Sequence, residues 1–170
     1  MAKIHDYTVL KTDGQFEIRQ YKNFLTASVE TDGEREEAIS KGFRILFKYI
    51  SGENRNKESI SMTVPVMQKS SGNNKWNIFF VVPKKFDLQN VPQPNDQSIK
   101  IKNNADLKVI VITFSGLFSD SNIKENEMKI RNYIKEKGLK IEDHAIYAGY
   151  NAPWTPWFLK RNEVLFRLVN

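Results

Sequence analysis

Aromatic and β-branched residues dominate residues 16–30 (FEIRQYKNFLTASVE), which predicts a strand with a bulge near Lys22-Asn23. Thr31-Asp32-Gly33-Glu34 then has capping-box form, with Thr31 as N-cap and Glu34 three residues on. A helix follows to Tyr49-Ile50, and Gly52 suits the position just past its end. Residues 60–68 and 75–83 predict two strands around the turn Ser71-Gly72-Asn73-Asn74, with Pro65 marking an edge or bulge. A loop carrying Pro83, Pro92 and Pro94 leads to Ser98, where the pattern restarts. Residues 98–115 read as a strand interrupted around Asn103-Asn104. Ser121 caps a second helix running to Glu136 and stopped by Gly138, and residues 143–150 and 162–169 supply two more strands.

Each half is β-α-β-β, so the chain looks like a diverged duplication, with pseudo-repeats over residues 16–83 and 98–169. The expected fold is α+β: one curved antiparallel sheet of about eight strands, or a distorted β-barrel, with two helices packed on it. Residues 1–170 then form a single domain, and the proline loop is a crossover inside it.

The two helices differ when turned at 100° per residue. In the second, Ile123, Ile130, Tyr133 and Ile134 share one face and only Met128 falls off it, as in an ordinary sheet-covering helix. In the first, Ala38, Gly42, Ile45, Leu46 and Tyr49 form the core face. Ile39, Phe43, Phe47 and Ile50 widen the apolar arc to roughly 200°, twice the usual minimum. Phe43 and Phe47, one turn apart, form its edge. Arg44 sits about 60° from Phe47 and Lys48 lies beyond it. Two readings are open: a loop or a dimer partner covers these phenylalanines, or a flat apolar ligand lies on them with Arg44 or Lys48 pairing its acidic groups.

Composition narrows the chemistry. The chain has 170 residues and no cysteine, which excludes disulfides, thiolate metal sites and cysteine nucleophiles. Two histidines, His5 and His144, leave little for a metal site or a histidine-based triad. The formal charge of +6 is scattered in pairs such as Lys84-Lys85 and Lys160-Arg161, so a basic solvated surface is expected rather than nucleic-acid binding. No apolar stretch follows Lys3 at the N-terminus and no apolar run is long enough to span a bilayer, so a soluble, cytoplasmic chain without membrane partners is expected.

Two segments carry a specific resemblance. Ile60-Ser61-Met62-Thr63-Val64-Pro65-Val66 resembles the I-x-M-T-x-P-V motif of the SOUL haem-binding protein family. Tyr150-Asn151-Ala152-Pro153-Trp154-Thr155-Pro156, followed by Lys160-Arg161-Asn162-Glu163-Val164, looks like that family's closing signature. Phe16-Glu17-Ile18-Arg19 and Lys48-Tyr49-Ile50-Ser51-Gly52-Glu53-Asn54 also match, in the family's order and over nearly the whole chain. The resemblance implies a distorted β-barrel from a β-α-β-β duplication that binds haem or another tetrapyrrole for buffering or transport. By motif position the implied site includes Phe47, Lys48 and Tyr150; the helical wheel adds Phe43 and Arg44. Ser59 and Ser40 stand where the family often has basic residues, with Lys41 and Arg44 close to the second. No histidine lies between residues 16 and 55, so none is carried over as an iron ligand. Reversible haem binding with weak or no protein ligation, by a monomer or weak dimer without catalysis, is what this implies.

His144 shares a strand face with Tyr150 but lies about 20 Å along it, so it reads as a surface or structural residue. His5 falls in an N-terminal tail expected to be mobile. Met62 and Met67 point to opposite strand faces, and a strand methionine is most often core. Tyr150 either meets a ligand or packs in the core. Trp154, Trp157 and Phe158, among Pro153 and Pro156, form a stiff aromatic loop that plugs the barrel end or rims the groove. Arg161 and Glu163 read as an internal ion pair fixing the closing strand. A second function class stays in view: the duplicated fold resembles effector-binding domains of multidrug-responsive regulators, some of which are enzymes, and a buried pocket glutamate (Glu163 or Glu17) would favour it.

Overall fold

The computed structural model describes residues 3–151 and 154–169. In chain order the strands are β1 (Lys3–Ile4), β2 (Thr8–Asp13), β3 (Phe16–Tyr21) and β4 (Phe24–Asp32), followed by helix α1 (Arg35–Ile50). Next come β5 (Thr63–Val64), β6 (Val66–Gly72), β7 (Lys75–Val81), β8 (Lys100–Asn104) and β9 (Leu107–Phe114), then helix α2 (Asp120–Glu136). Strand β10 (Ile146–Gly149), a 3-10 turn (Trp157–Leu159) and β11 (Asn162–Arg167) complete the chain. The chain divides into two compact units, one holding residues up to His5 with 23–105, the other 6–22 with residues from 106 on. The fold is α+β, with four antiparallel strands in the first unit, five in the second and one helix in each.

In the first unit the strand order is β6-β7-β4-β8; in the second it is β2-β3-β9-β11-β10. Both units repeat one topology. The strand before the helix (β4, β9) pairs with the last strand (β7, β11), which pairs with the middle one (β6, β10). β8 and β2 are edge strands, so of the two expected forms the open sheet is observed. The strand expected over residues 16–30 is really two, broken at Lys22-Asn23: β3 pairs with β9, whereas β4 pairs with β7 and β8. Residues 98–115 break in the same way at Ala105-Asp106. Each interrupted strand therefore serves both units.

Several local expectations are corrected. Residues 3–13 are not a tail: β1 runs parallel to β5, and β2 pairs with β3 from Thr8↔Gln20 to Asp13↔Phe16. Every β2 residue is exposed, so no apolar face marked it. His5 is buried, donates its backbone N–H to Val64 O at 3.0 Å, and packs its ring 4.9 Å from Phe24. Thr31 does not cap α1. It remains in β4 opposite Trp76, its hydroxyl donates to Ala38 O at 2.6 Å, and Glu34 occupies the N-cap without a side-chain bond. Gly33, at φ +118°, makes the turn that delays the helix, a backbone state open chiefly to glycine. Ser119, not Ser121, caps α2, accepting from Asn122 N at 3.3 Å.

Helix α1 covers β4 and β7 with Ala38, Leu46, Tyr49 and Ile50, over a core containing Leu25, Val29, Ile60, Ile78 and Phe80. The proline loop belongs wholly to this unit, and Pro92 O accepts the Tyr49 hydroxyl at 2.5 Å. Burial pushes that phenol up to about 12. Closest approach is at Gly42, where a Cβ would sit 2.7 Å from Ile78 Cγ1 and 3.4 Å from Val29 Cγ1. Alanine there gains up to about 1 kcal/mol of helix propensity but overpacks a fully buried isoleucine, which typically costs ~1–3 kcal/mol. Gly42→Ala is therefore expected to lower stability by about 1 kcal/mol or more in urea unfolding followed by circular dichroism; equal or greater stability would show that this contact does not seat the helix.

Candidate functional site

Two places concentrate the residues singled out from sequence: the outer edge of α1 in the first unit, and a buried polar cluster in the second.

On α1, Phe43 and Phe47 stack at 6.0 Å between ring centroids with 22° between planes. They stay 38% and 51% exposed, while Leu46 and Ile50 beside them are buried. Behind the rings lies a crevice lined by Leu46, Ile50, Met62, Thr63, Val66 and Phe80. Its free volume is about 10 Å³, room for roughly one water. The Thr63 hydroxyl is occupied, donating to Val81 O at 2.5 Å. That space does not admit a flat ring behind the phenylalanines. The I-x-M-T-x-P-V motif gains a physical account: Ile60 fills the core, Met62 lines the crevice, Thr63 ties the segment to β7, and Pro65, lacking an N–H, separates β5 from β6.

Arg44 lines a different hollow from the one behind the rings. Arg44 faces an open hollow of about 490 Å³, with Lys41, Ile45, Lys75, Glu30, Thr31 and Asp32 around it. Lys41 is engaged there by Glu37 at 3.1 Å and Asp32 at 3.5 Å, and its ammonium is shifted up, first by the Glu37 bond. Arg44 and Lys48 have no ion-pair partner within 4 Å among the described residues, though Lys48 adds to the field that helps Ser98 hold Asp96 low. Neither histidine lines the crevice, and no group of three or more His, Cys, Asp or Glu poised for a metal occurs among the described residues. His144 is on the surface.

Tyr150 lies in the second unit, directly after β10, where its hydroxyl donates to Glu163 Oε1 at 2.7 Å. Glu163 is 0% exposed and accepts five hydrogen bonds. Arg19 grips it with Nη1 at 3.0 Å and Nη2 at 2.7 Å, Thr113 donates at 3.1 Å, and Arg161 at 3.1 Å. The ion pair expected from Arg161 is present, but Arg19 is the principal partner. Its traces in sequence are the Phe16-Glu17-Ile18-Arg19 match and the placing of Glu17 and Arg19 on one strand face, where Glu17 accepts Arg19 Nε at 2.7 Å. The guanidinium groups cap aromatic rings as well, Arg19 over Tyr7 and Arg161 over Tyr150, both at 4.1 Å. Burial works to raise the Glu163 carboxyl, but the bonds and charge of Arg19, then Tyr150 and Arg161, hold it below its ordinary value. Tyr150 and Arg19 are shifted up, the tyrosine by burial and then the Glu163 charge, the arginine by Glu163 against its own burial. A glutamate this fully partnered has no acceptor left for a substrate.

A family model described as SOUL heme-binding protein matches residues 3–167. The chain is 30% identical to "Heme-binding protein 2" of Homo sapiens over 169 residues, covering 88% of this chain and 80% of that one. It is 28% identical to "Heme-binding protein 1" of Mus musculus over 162 residues, covering 91% and 84%. Among solved structures, the EcmrR C-terminal domain shares the fold with a TM-score of 0.72 at 9% identity, over 92% of this chain and 98% of that one.

The buried cluster makes a definite pH prediction. Folded, Glu163 binds its proton less readily than when unfolded, so its contribution is complete above the unfolded carboxylate value near 4.5 and is lost as pH falls through the lower folded value. Glu163→Gln removes the principal anion of buried Arg19, leaving it only Glu17, and is expected to cost about 3 kcal/mol at neutral pH. Urea midpoints measured down an acid series should fall less steeply for the variant than for the wild type, and parallel acid limbs would remove Glu163 from the explanation.

Proposed function

We propose that this chain, which belongs to the SOUL heme-binding protein family, binds haem or a related tetrapyrrole on the outer edge of α1. The observation that carries this reading is the stacked, half-exposed pair Phe43 and Phe47, an apolar platform beside two cations without ion pairs. The relatives named for haem binding support the ligand class. The porphyrin lies against Phe43 and Phe47 by dispersion and apolar burial, and Lys48 and Arg44 pair its propionates. Arg44 swings from its hollow to do so, since Lys41 there is already engaged by carboxylates. The Tyr150 hydroxyl stays with Glu163 and serves the internal network. Of side chains able to reach iron, Met62 alone lines the crevice and is half-buried behind the rings. Binding is therefore by shape and charge, with weak or no protein ligation, which suits reversible buffering or transport in the cytoplasm.

The effector-sensor or hydrolase alternative is favoured by a buried glutamate in a pocket, and Glu163 and Glu17 are both bonded to Arg19 instead. The dimer alternative uses the same phenylalanines without a ligand.

Titration with haem followed by absorbance is expected to give saturable binding with a shifted Soret band. Phe47→Asp should weaken it about tenfold or more, by removing apolar contact and placing a charge on the platform. Arg44→Glu with Lys48→Glu should weaken it by a smaller, salt-dependent factor. Zinc protoporphyrin is expected to bind about as well as haem. Absence of saturable binding by any porphyrin ends the proposal, while dimerisation that Phe47→Asp abolishes without any porphyrin binding selects the dimer reading.

A further inference from the structure

The largest concentration of exposed apolar side chains among the described residues lies in the second unit. Trp154, Trp157, Phe158 and Leu159 fall within six consecutive residues and are 85%, 62%, 59% and 63% exposed. Leu117, 60% exposed, comes from a second loop that the Gly116 N–H fastens to Trp157 O at 3.0 Å. The Ala152-Pro153 step before this segment lies outside the described residues.

The backbone of the segment is well anchored. Leu159 N donates to Pro156 O at 2.9 Å and Lys160 N to Trp157 O at 3.3 Å, closing the 3-10 turn, and Arg161 N donates to Asn151 Oδ1 at 2.5 Å. Trp157 and Phe158 meet edge to face at 5.7 Å. Of the two expectations for this loop, plugging the barrel end does not hold, because no residue of the turn is buried. A pre-shaped loop that presents large apolar groups to water on this scale marks an interaction surface.

Two features select the partner. First, the side chains project. Trp154 at 85% exposure has almost no protein around it, so a soft medium it can enter accommodates it better than a complementary rigid surface. Tryptophan with phenylalanine and leucine is the composition favoured at the boundary between headgroups and acyl chains. Second, the stretch of sequence that carries the turn has charge of one sign. From residue 144 to 162 the sequence holds no Asp or Glu, and Lys160 and Arg161 follow the aromatic turn directly. A cationic flank beside an apolar loop complements an anionic lipid surface.

We propose that Leu117, Trp154, Trp157, Phe158 and Leu159, with Lys160 as cationic flank, form a docking surface for an anionic lipid bilayer, entered by the loop and not spanned. No helix among the described residues is long and apolar enough to cross a membrane, so the attachment is peripheral. It uses none of the α1 residues and is tested whether or not porphyrin binds there.

The test uses the full chain and sedimentation with vesicles of phosphatidylcholine, with and without phosphatidylserine. Binding is expected to the phosphatidylserine vesicles, to weaken with added salt, and to move tryptophan emission to the blue. Trp154→Ser with Trp157→Ser should reduce binding about tenfold or more, and Lys160→Glu about tenfold on anionic vesicles only. Thermal melts monitor folding; should the double variant not fold, Trp154→Ser alone, at the most exposed position, carries the comparison. No binding to anionic vesicles, or undiminished binding by the tryptophan variants, overturns the proposal. So does self-association that the tryptophan variants abolish in sedimentation without any vesicle binding, which would assign the patch to a protein contact.

Discussion

Helix α1 carries more apolar surface than its sheet can cover, and the character of the first unit follows from that constraint. Gly42 brings the helix close enough for Ile78 and Val29 to meet its backbone, which sets both its depth and its rotation. With that rotation Leu46, Tyr49 and Ile50 face inward, and the Tyr49 hydroxyl locks onto Pro92 O at the far side. Phe43 and Phe47 are then carried past the edge of the sheet. Burying such a side chain is worth about 1.5–3 kcal/mol, so leaving two of them half in water forgoes a sizeable part of a domain's net stability. Helix α2 bears no such burden: Ile123, Ile130, Tyr133 and Ile134 are all buried and Met128 alone lies outside.

The second unit is organised by charge instead. Glu163 on β11 is held by Arg19 from β3, Thr113 from β9 and Tyr150 after β10, so one carboxylate ties four neighbouring parts of the sheet. Buried ion pairs seldom add much net stability, because desolvation offsets the attraction, but they penalise any pairing that leaves a charge alone. That suits a chain whose interrupted strands must each find the right partner. Here β3 leaves its sequence neighbour β4 and pairs with β9, and Arg19 meets Glu163 only in that register. The arrangement that makes Glu163 a good register marker also removes it from chemistry.

Much of this was legible from periodicity. The duplicated β-α-β-β order, the two helices, the glycines ending them and the off-face Met128 are local properties of sequence. What escaped depended on tertiary competition. Thr31 has capping-box form, yet pairing with Trp76 keeps it in β4. Strand β2 has no buried residue and so no alternation to detect. His5 looked like part of a mobile tail because nothing local shows that Phe24 will cover it. At the sites the division is similar. The wheel placed Phe43 and Phe47 on an edge and Arg44 beside them, but that Arg44 lines a hollow shared with Glu30 and Asp32 of β4 is beyond the reach of a helical wheel. Arg19 needed a partner 144 residues away to be recognised.

A crevice of about 10 Å³ constrains any ligand on α1 more firmly than the list of residues does. A planar ring on Phe43 and Phe47 is desolvated on one face and keeps the other in water, so its affinity draws on about half the apolar contact an enclosed pocket would supply. The propionates add charge pairing, but Arg44 and Lys48 are exposed, where each pair contributes only about 1 kcal/mol or less. Fast exchange is therefore expected under the proposed reading: a ring held only on Phe43 and Phe47 would leave without displacing Leu46, Ile50 or Met62 behind them.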